Sequence, residues 1–199
     1  MVLKGRKQKI VICVAGFTGS GKSTLAKRLA EKYGLRHFSG GSALKTLAIE
    51  MGYKPCERGW WETEEGMRFL QQRMRDSEFD RKVDEELIRW AKRGNVVLDS
   101  WTMPWLLNEG FKVWLEASPD VRARRIVERD GISLEKAISA LKERDLKTKM
   151  IYKKLYGFDL GEDFSPFDLI LDTNELNADE VFQTLCMVTD SRLIKKIRS

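Results

Sequence analysis

Residues 10–23 read IVICVAGFTGSGKS, and this stretch decides the fold. Residues 10–15 are an apolar run of the length of a fully buried strand. Residues 16–23, GFTGSGKS, fit the pattern GxxxxGK[ST]. Residues 20–33 then carry Leu25, Ala26, Leu29 and Ala30 at helical spacing, and Gly34 stops the run. Strand, glycine loop and helix in that order are the context in which the motif cradles phosphates. Glycines let backbone N–H groups converge on phosphate oxygens, and the helix start adds its partial positive charge. The nucleotide-binding candidates are therefore Gly16, Phe17, Thr18, Gly19, Ser20, Gly21, Lys22, Ser23 and Thr24. Lys22 is expected to reach the β- and γ-phosphates. Ser23 is expected to hold Mg²⁺ through its hydroxyl, and Thr24 to touch the α-phosphate.

Outward from that loop, strands and helices alternate. Residues 35–38, 95–99, 111–115 and 169–171 read as further strands. Helices are expected over 42–51, 63–77, 79–93, from Ser118-Pro119 to about 130, from Ser133 to 156, and over 178–197. That alternation predicts an α/β chain: a P-loop NTPase three-layer sandwich around a parallel, five-stranded sheet. At 199 residues, the chain suits one domain. We expect a single P-loop kinase domain over 1–199, with a helical acceptor-binding insert at about 40–93 and a lid at about 125–157.

Composition narrows the partners. Apolar residues make up 42% and charged residues 33%, and the net charge is +6, which suits a polyanionic ligand. The three cysteines, Cys13, Cys56 and Cys186, have no ligand or disulfide spacing. No run is long enough to span a membrane, so a cytoplasmic protein is expected. Basic runs occur only at the ends, MVLKGRKQK and RLIKKIRS. They are the sole support for an RNA-associated reading, so nucleic acid is not expected as a partner.

Asp99 ends the strand NVVLD, and in this architecture ligands bind at that edge of the sheet. It is the candidate for the magnesium shell, so the metal candidates are Ser23 and Asp99. No NKxD run is present to read guanine, and the chain is short for a motor module. A small kinase fits, with ATP and Mg²⁺ as cofactors and a phosphorylated small-molecule acceptor, acting as a monomer. Arg122, Arg125 and Arg129 share a helical face, and Arg144 with Asp145 interrupts the next apolar stripe, a break expected at a lid tip. Phosphoryl transfer needs such cations near the transferring group. The neighbouring lysines read better as a solvated face.

Three longer runs carry a resemblance. GNVVLDSW, VWLEASPDVRARRIVERDG, and ALKERD with IYKKLYGFDL and SPFDLILDTNELNADEV resemble the cytidylate kinases in their short archaeal form. The similarity spans residues 9 to about 187. It implies transfer of the ATP γ-phosphate to CMP or dCMP. By that resemblance Arg125 and Arg129 attend ATP, Asn174 lies near the adenine, and Arg144 and Asp145 lie in the lid beside the transferring phosphate. Lys22, Asp99, Arg144 and Asp145 are thus the catalytic candidates.

The chain departs from the family on the acceptor side. Lys45 stands where an arginine usually grips the acceptor phosphate. Asp99-Ser100-Trp101 replaces Glu-Gly-Arg, and Lys149 replaces a later lid arginine. Lysine keeps charge but loses the bidentate fork, and Trp101 has none. The acceptor candidates are Ser39, Gly40, Lys45, Arg81, Asp84 and Trp101. Arg81 and Asp84, three apart, are expected to share a pocket-facing side of their helix, where Asp84 would accept from a base amino group. Trp101 either stacks on the substrate or packs, and Trp60, Trp61 and Trp105 floor a base pocket or hold helices together. A kinase of another nucleotide or small metabolite is the second reading.

Overall fold

The computed structural model describes residues 9–56 and 58–198, with side-chain surroundings given up to residue 192. The terminal basic runs, apart from Lys9 and Arg192, lie outside the residues so described.

Five strands form one wholly parallel sheet in the order β2-β3-β1-β4-β5: β1 (Val11–Ala15), β2 (Arg36–Ser39), β3 (Val96–Asp99), β4 (Phe111–Glu116) and β5 (Leu169–Asp172). β1 is central and buried on both faces, which its unbroken apolar run requires. Ile12 and Val14 face a core shared with α1 (Lys22–Tyr33) and α8 (Ala178–Arg198). Cys13 faces the opposite core, under α2 (Gly40–Glu50), α3 (Glu64–Arg75) and α4 (Glu78–Arg93). Two faces covered by helices make the expected three layers.

The short helix α5 (Met103–Leu106) follows β3, and a 3-10 turn, Trp60–Glu62, precedes α3. Helix α6 (Pro119–Asp130) starts with Ser118 as its cap, whose hydroxyl accepts from the Val121 N–H. Helix α7 (Leu134–Tyr156) is a single helix of 23 residues. Residues 144 and 145 interrupt its apolar stripe without breaking the helix. The charged pair sits mid-helix because each partner finds a counter-charge on a different neighbour.

The lysine-rich face of α7 is largely a solvated, ion-paired face. Lys149 pairs with Glu162 at 2.9 Å, Lys153 with Asp159 at 2.7 Å, and Lys147 with Glu143. His37, within β2, is half-buried, and burial lowers its pKa. Trp60 lies in the core beneath α3, and Trp105 stacks on Phe158 at 4.1 Å with its N–H donating to Asp163. Those two tryptophans hold helices together. No helix among the described residues is long and apolar enough to cross a membrane.

Candidate active site

One cleft of about 720 Å³ opens at the carboxyl ends of the strands. The loop between β1 and α1 forms its floor. Gly16 has φ 147°, and a Cβ there would come within 2.6 Å of the Leu115 carbonyl. Gly19 has φ 82°, and its Cβ would meet the Arg122 carbonyl at 2.8 Å. Both the backbone geometry and the close neighbours therefore demand glycine. Gly21, left-handed at φ 91°, precedes α1 with no side-chain cap, leaving the first N–H groups of that helix for a ligand. Thr18, Gly19, Ser20, Gly21, Lys22, Ser23 and Thr24 line the cleft. Phe17 does not; it packs edge-on against Trp114 at 5.4 Å and beside Gly161. Gly16 contributes a carbonyl, which accepts from the Trp101 indole N–H at 2.5 Å.

Lys22 and Asp99 meet in this cleft. Asp99 is paired in register with Val14 of β1 and Ser39 of β2, which brings it to the ligand edge, and it is buried. Burial pulls the Lys22 ammonium down to about 8, against the opposing pull of Asp99. Arg144 reaches the cleft from α7. Its guanidinium lies 4.7 Å from the Trp61 ring, 5.6 Å from the Trp101 ring and 3.3 Å from the Glu62 carboxylate. Lys22 lies 5.4 Å from the Trp101 ring. Trp101 thus sits between two cations and contributes a ring face to each. Burial lowers Arg144 to about 10, with Glu62 opposing, so it stays charged at neutral pH.

The other cations divide. Arg125 lines the cleft and donates to the Thr173 carbonyl at 2.6 Å. Arg129 lines it too, paired with Asp130 and 3.6 Å from Glu62. Arg122 does not share their position. It is buried, donates to the Thr18 carbonyl at 3.2 Å and pairs with Asp145 at 2.8 Å. Asp145 therefore stands behind the cleft wall and does not line it. Asn174 is also off the cleft: its side-chain carbonyl accepts from the Ser118 N–H at 2.8 Å, fixing the start of α6. Thr173, Leu176, Asn177 and Ala178 line the cleft around it.

At the insert end, Ser39, Gly40, Lys45, Asp84 and Trp101 all line the cleft. Lys45 donates to the Cys56 carbonyl at 3.2 Å. Arg81 is turned away. Its side chain is 52% exposed and pairs with Glu78 at 3.1 Å. Asp84 points inward and Arg81 sits about 60° away around the helix, so a spacing of three does not bring both into the pocket.

The sequence reading passed over the most buried polar group of the cleft. Arg73 of α3 makes a bidentate pair with Asp80 of α4, at 3.0 and 2.5 Å, and Tyr152 donates to Asp80 at 3.2 Å. Beside it, Asp84 accepts from Thr102 at 2.5 Å and from Tyr156 at 2.8 Å. Burial raises the Asp84 carboxyl to about 7, and the two hydroxyl donors pull it back. One signal for this set was present. Phe69, Leu70 and Arg73 share the apolar face of α3, and Asp80, Val83, Asp84 and Leu87 share that of α4. A charge on an apolar stripe marks a buried partner.

Metal chemistry is compatible with the donors present. Among the described residues no group of three or more His, Cys, Asp or Glu could hold a metal alone. The Ser23 hydroxyl and the Asp99 carboxylate are hard oxygen donors beside the phosphate loop. That set suits Mg²⁺, which keeps waters and takes its other oxygens from phosphates.

Comparison with known proteins places the chain in a family. The cytidylate kinase-like family model matches residues 11–175. The cytidylate kinase of Pyrococcus horikoshii is 38% identical over 177 residues, covering 88% of this chain and 86% of that one. That of Methanocaldococcus jannaschii is 34% identical over 187 residues, covering 92% and 98%. Among solved structures, deoxyadenosine kinase from M. mycoides with bound dATP aligns with a TM-score of 0.57 at 15% identity, covering 91% of this chain and all of that one. Shikimate kinase from Acinetobacter baumannii in complex with shikimate aligns at 0.55 and 18%, covering 94% and 96%. These structures share the fold. From the family match and the relatives together, the chain belongs to the cytidylate kinase-like family.

Proposed function

We propose that the protein transfers the γ-phosphoryl group of ATP to CMP or dCMP, giving the diphosphate. The observation that carries this reading is the continuity of one cleft from the phosphate loop to the buried Arg73–Asp80–Asp84 group. One continuous cleft thereby accommodates donor phosphates and an acceptor ring side by side. ATP phosphates lie along residues 18–24, with Lys22 neutralising the transferring group. Arg125 and Arg129 serve the donor side. Thr173, Leu176, Asn177 and Ala178 flank the adenine.

Ser23 and Asp99 would hold Mg²⁺, directly or through water, and the ion would supply positive charge against that of the phosphates during transfer. Arg144, held on Trp61 and Trp101, supplies a second positive charge toward the transferring phosphoryl group. No strong base is needed, because an acceptor phosphate is already ionised. The acceptor phosphate lies by Lys45, and the base amino group donates to Asp84. The segment 40–93 works as the acceptor insert and 125–157 as the lid of a single domain, and the enzyme acts as a monomer.

Trp101 stands where a phosphate-gripping cation is expected, which favours as a second reading an acceptor other than CMP. Coupled ATP-consumption assays over CMP, dCMP, UMP, AMP, GMP and unphosphorylated small metabolites decide between them. CMP or dCMP should give the highest kcat/KM. Turnover of a metabolite and of no monophosphate would replace the acceptor and keep the kinase.

A further inference from the structure

Behind the phosphate loop lies a set of buried polar groups that the transfer chemistry does not touch. Arg122 leaves α6 and is 4% exposed. One of its nitrogens donates to the carbonyl of Thr18, inside the phosphate loop. Another binds the Asp145 carboxylate of α7 at 2.8 Å. Its guanidinium lies 5.2 Å from the Phe17 ring. Its backbone packs so closely on Gly19 that a Cβ there would not fit. Thr18 Oγ1, Arg122 Nε and Asp145 Oδ1 are buried without a hydrogen-bond partner among the described residues. The Arg122 guanidinium is the hydrogen-bonded counter-charge of Asp145, and Arg144 and Lys149 lie close enough to add their field to it.

Asp145 is the sequence neighbour of Arg144, whose guanidinium lies 5.6 Å from the Trp101 ring and lines the same cleft as Lys22. Rotation of α7 about its axis moves both residues together. Fixing Asp145 against Arg122 therefore fixes where the Arg144 guanidinium points.

We propose that the Arg122–Asp145 pair is a strut that holds Arg144 at a set position relative to the phosphate loop, and that the transfer step depends on it. The proposal rests on the reading above that Arg144 serves the transferring phosphoryl group. Asp145 and Arg122 are then positioning residues: neither meets the substrate, and both act through Arg144. The bond from Arg122 to the Thr18 carbonyl makes the loop one end of the strut and the lid helix the other.

The linkage makes a quantitative demand. A misplacement of about 1 Å in a positioned group can cost on the order of 10²-fold in rate. Loss of the strut should therefore lower kcat while the ATP contacts, made by the loop itself, persist. Asp145→Asn should lower kcat by about tenfold or more, with the KM for ATP changed by less than about threefold. The decisive measurement is a double-mutant cycle on kcat with Arg144→Ala. Where Arg144 is already absent, Asp145→Asn should cost less than about twofold, because there is nothing left to position.

Asp145→Asn leaves a buried guanidinium without its counter-charge and can compromise folding. Asp145→Glu keeps the charge and leaves the Arg122 bond to the Thr18 carbonyl in place, and a thermal melt shows whether it is folded. Moving the carboxylate by one methylene should lower kcat by about twofold or more, and that loss should likewise disappear in the Arg144→Ala background. The cycle is run on whichever acceptor, water included, the wild type uses fastest. Failure to phosphorylate CMP would overturn the substrate reading and leave the cycle readable. Equal factors in both backgrounds, or an unchanged kcat in a folded variant, would overturn the strut.

Discussion

The two ends of the cleft are built from different materials. The end proposed for the donor is mostly backbone: a glycine loop, the start of α1 and one lysine, contiguous over residues 18–24. The end proposed for the acceptor is mostly side chain: Arg73 from α3, Asp80 and Asp84 from α4, Thr102 beside α5, Tyr152 and Tyr156 from α7. A backbone site is written in consecutive residues, since each glycine answers a local steric demand. A side-chain site is assembled from four distant segments and is held by mutual pairing. Breaking the first should remove chemistry and spare the fold, and breaking the second should cost both.

The sharpest test of that contrast is Asp80→Ala. It leaves the Arg73 guanidinium buried without its carboxylate and takes a partner from Tyr152. Loss of one partner of a buried ion pair costs about 3–5 kcal/mol. Chemical denaturation should show a loss of that size, with acceptor turnover falling alongside it. A stability within about 0.5 kcal/mol of wild type would mean that the pair is no structural element of the acceptor end.

Next comes Lys22→Ala at the donor end. It removes a half-buried cation that sits beside Asp99 and the Trp101 ring and makes no hydrogen bond or ion pair that ties two elements together among the described residues. The kcat should drop by about 10²–10³-fold or more, and the circular-dichroism melt should stay in place. Near wild-type turnover would undo the assignment of the loop. A melt as low as that of Asp80→Ala would erase the difference between the two ends.

Asp84→Asn asks whether the acceptor end reads the base. The substitution keeps the shape and gives up the carboxylate that accepts from Thr102 and Tyr156. A bidentate or well-placed polar contact to a base discriminates by about 1–3 kcal/mol. The ratio of kcat/KM for CMP over UMP should fall by roughly that factor. An unchanged ratio would move base recognition elsewhere in the cleft.

The same division explains what was legible beforehand. The strand at residues 10–15 and the motif after it gave the sheet and its ligand edge, because a parallel strand and a glycine loop are local features. Asp99 was visible from its place at a strand end. The error with Arg81 came from treating a spacing of three as one face, where the burial of Val83, Asp84 and Leu87 orients α4 and sends Arg81 outward. Arg73 was invisible as a functional group because its partner, seven residues away, lies on another helix. Asp145 and Asn174 are close in sequence to the cleft wall, but their side chains hold Arg122 and the start of α6. Nothing local tells a side chain which side of a wall it will face.

The smallest expected effect separates the two ends by pH. Burial lowers Lys22 to about 8 in the unliganded protein. Phosphates bind the ammonium, so deprotonation competes with ATP. From pH 7 to pH 9 the apparent affinity for ATP should weaken by about tenfold, following the protonated fraction of a group near 8. With ATP supplied as its Mg²⁺ complex, the terminal phosphate is already fully ionised over that range. Folding works in the opposite direction. The folded pKa lies below the ordinary lysine value, so the destabilising cost of the buried charge is relieved as pH rises through about 8, and stability gains from this group up to the unfolded pKa near 10.5. Weakening of ATP binding in that window therefore does not come from Lys22 unfolding the protein.

Asp84, raised to about 7, titrates lower. If its carboxylate accepts from the acceptor base, acceptor affinity should rise from pH 6 to pH 8, and Asp84→Asn should flatten that rise apart from the ionisation of the acceptor phosphate. Lys22→Arg, which stays charged, should flatten the ATP profile and leave the acceptor profile alone. ATP binding that is flat between pH 7 and 9 in the wild type would show that the Lys22 ammonium is not what holds the phosphates.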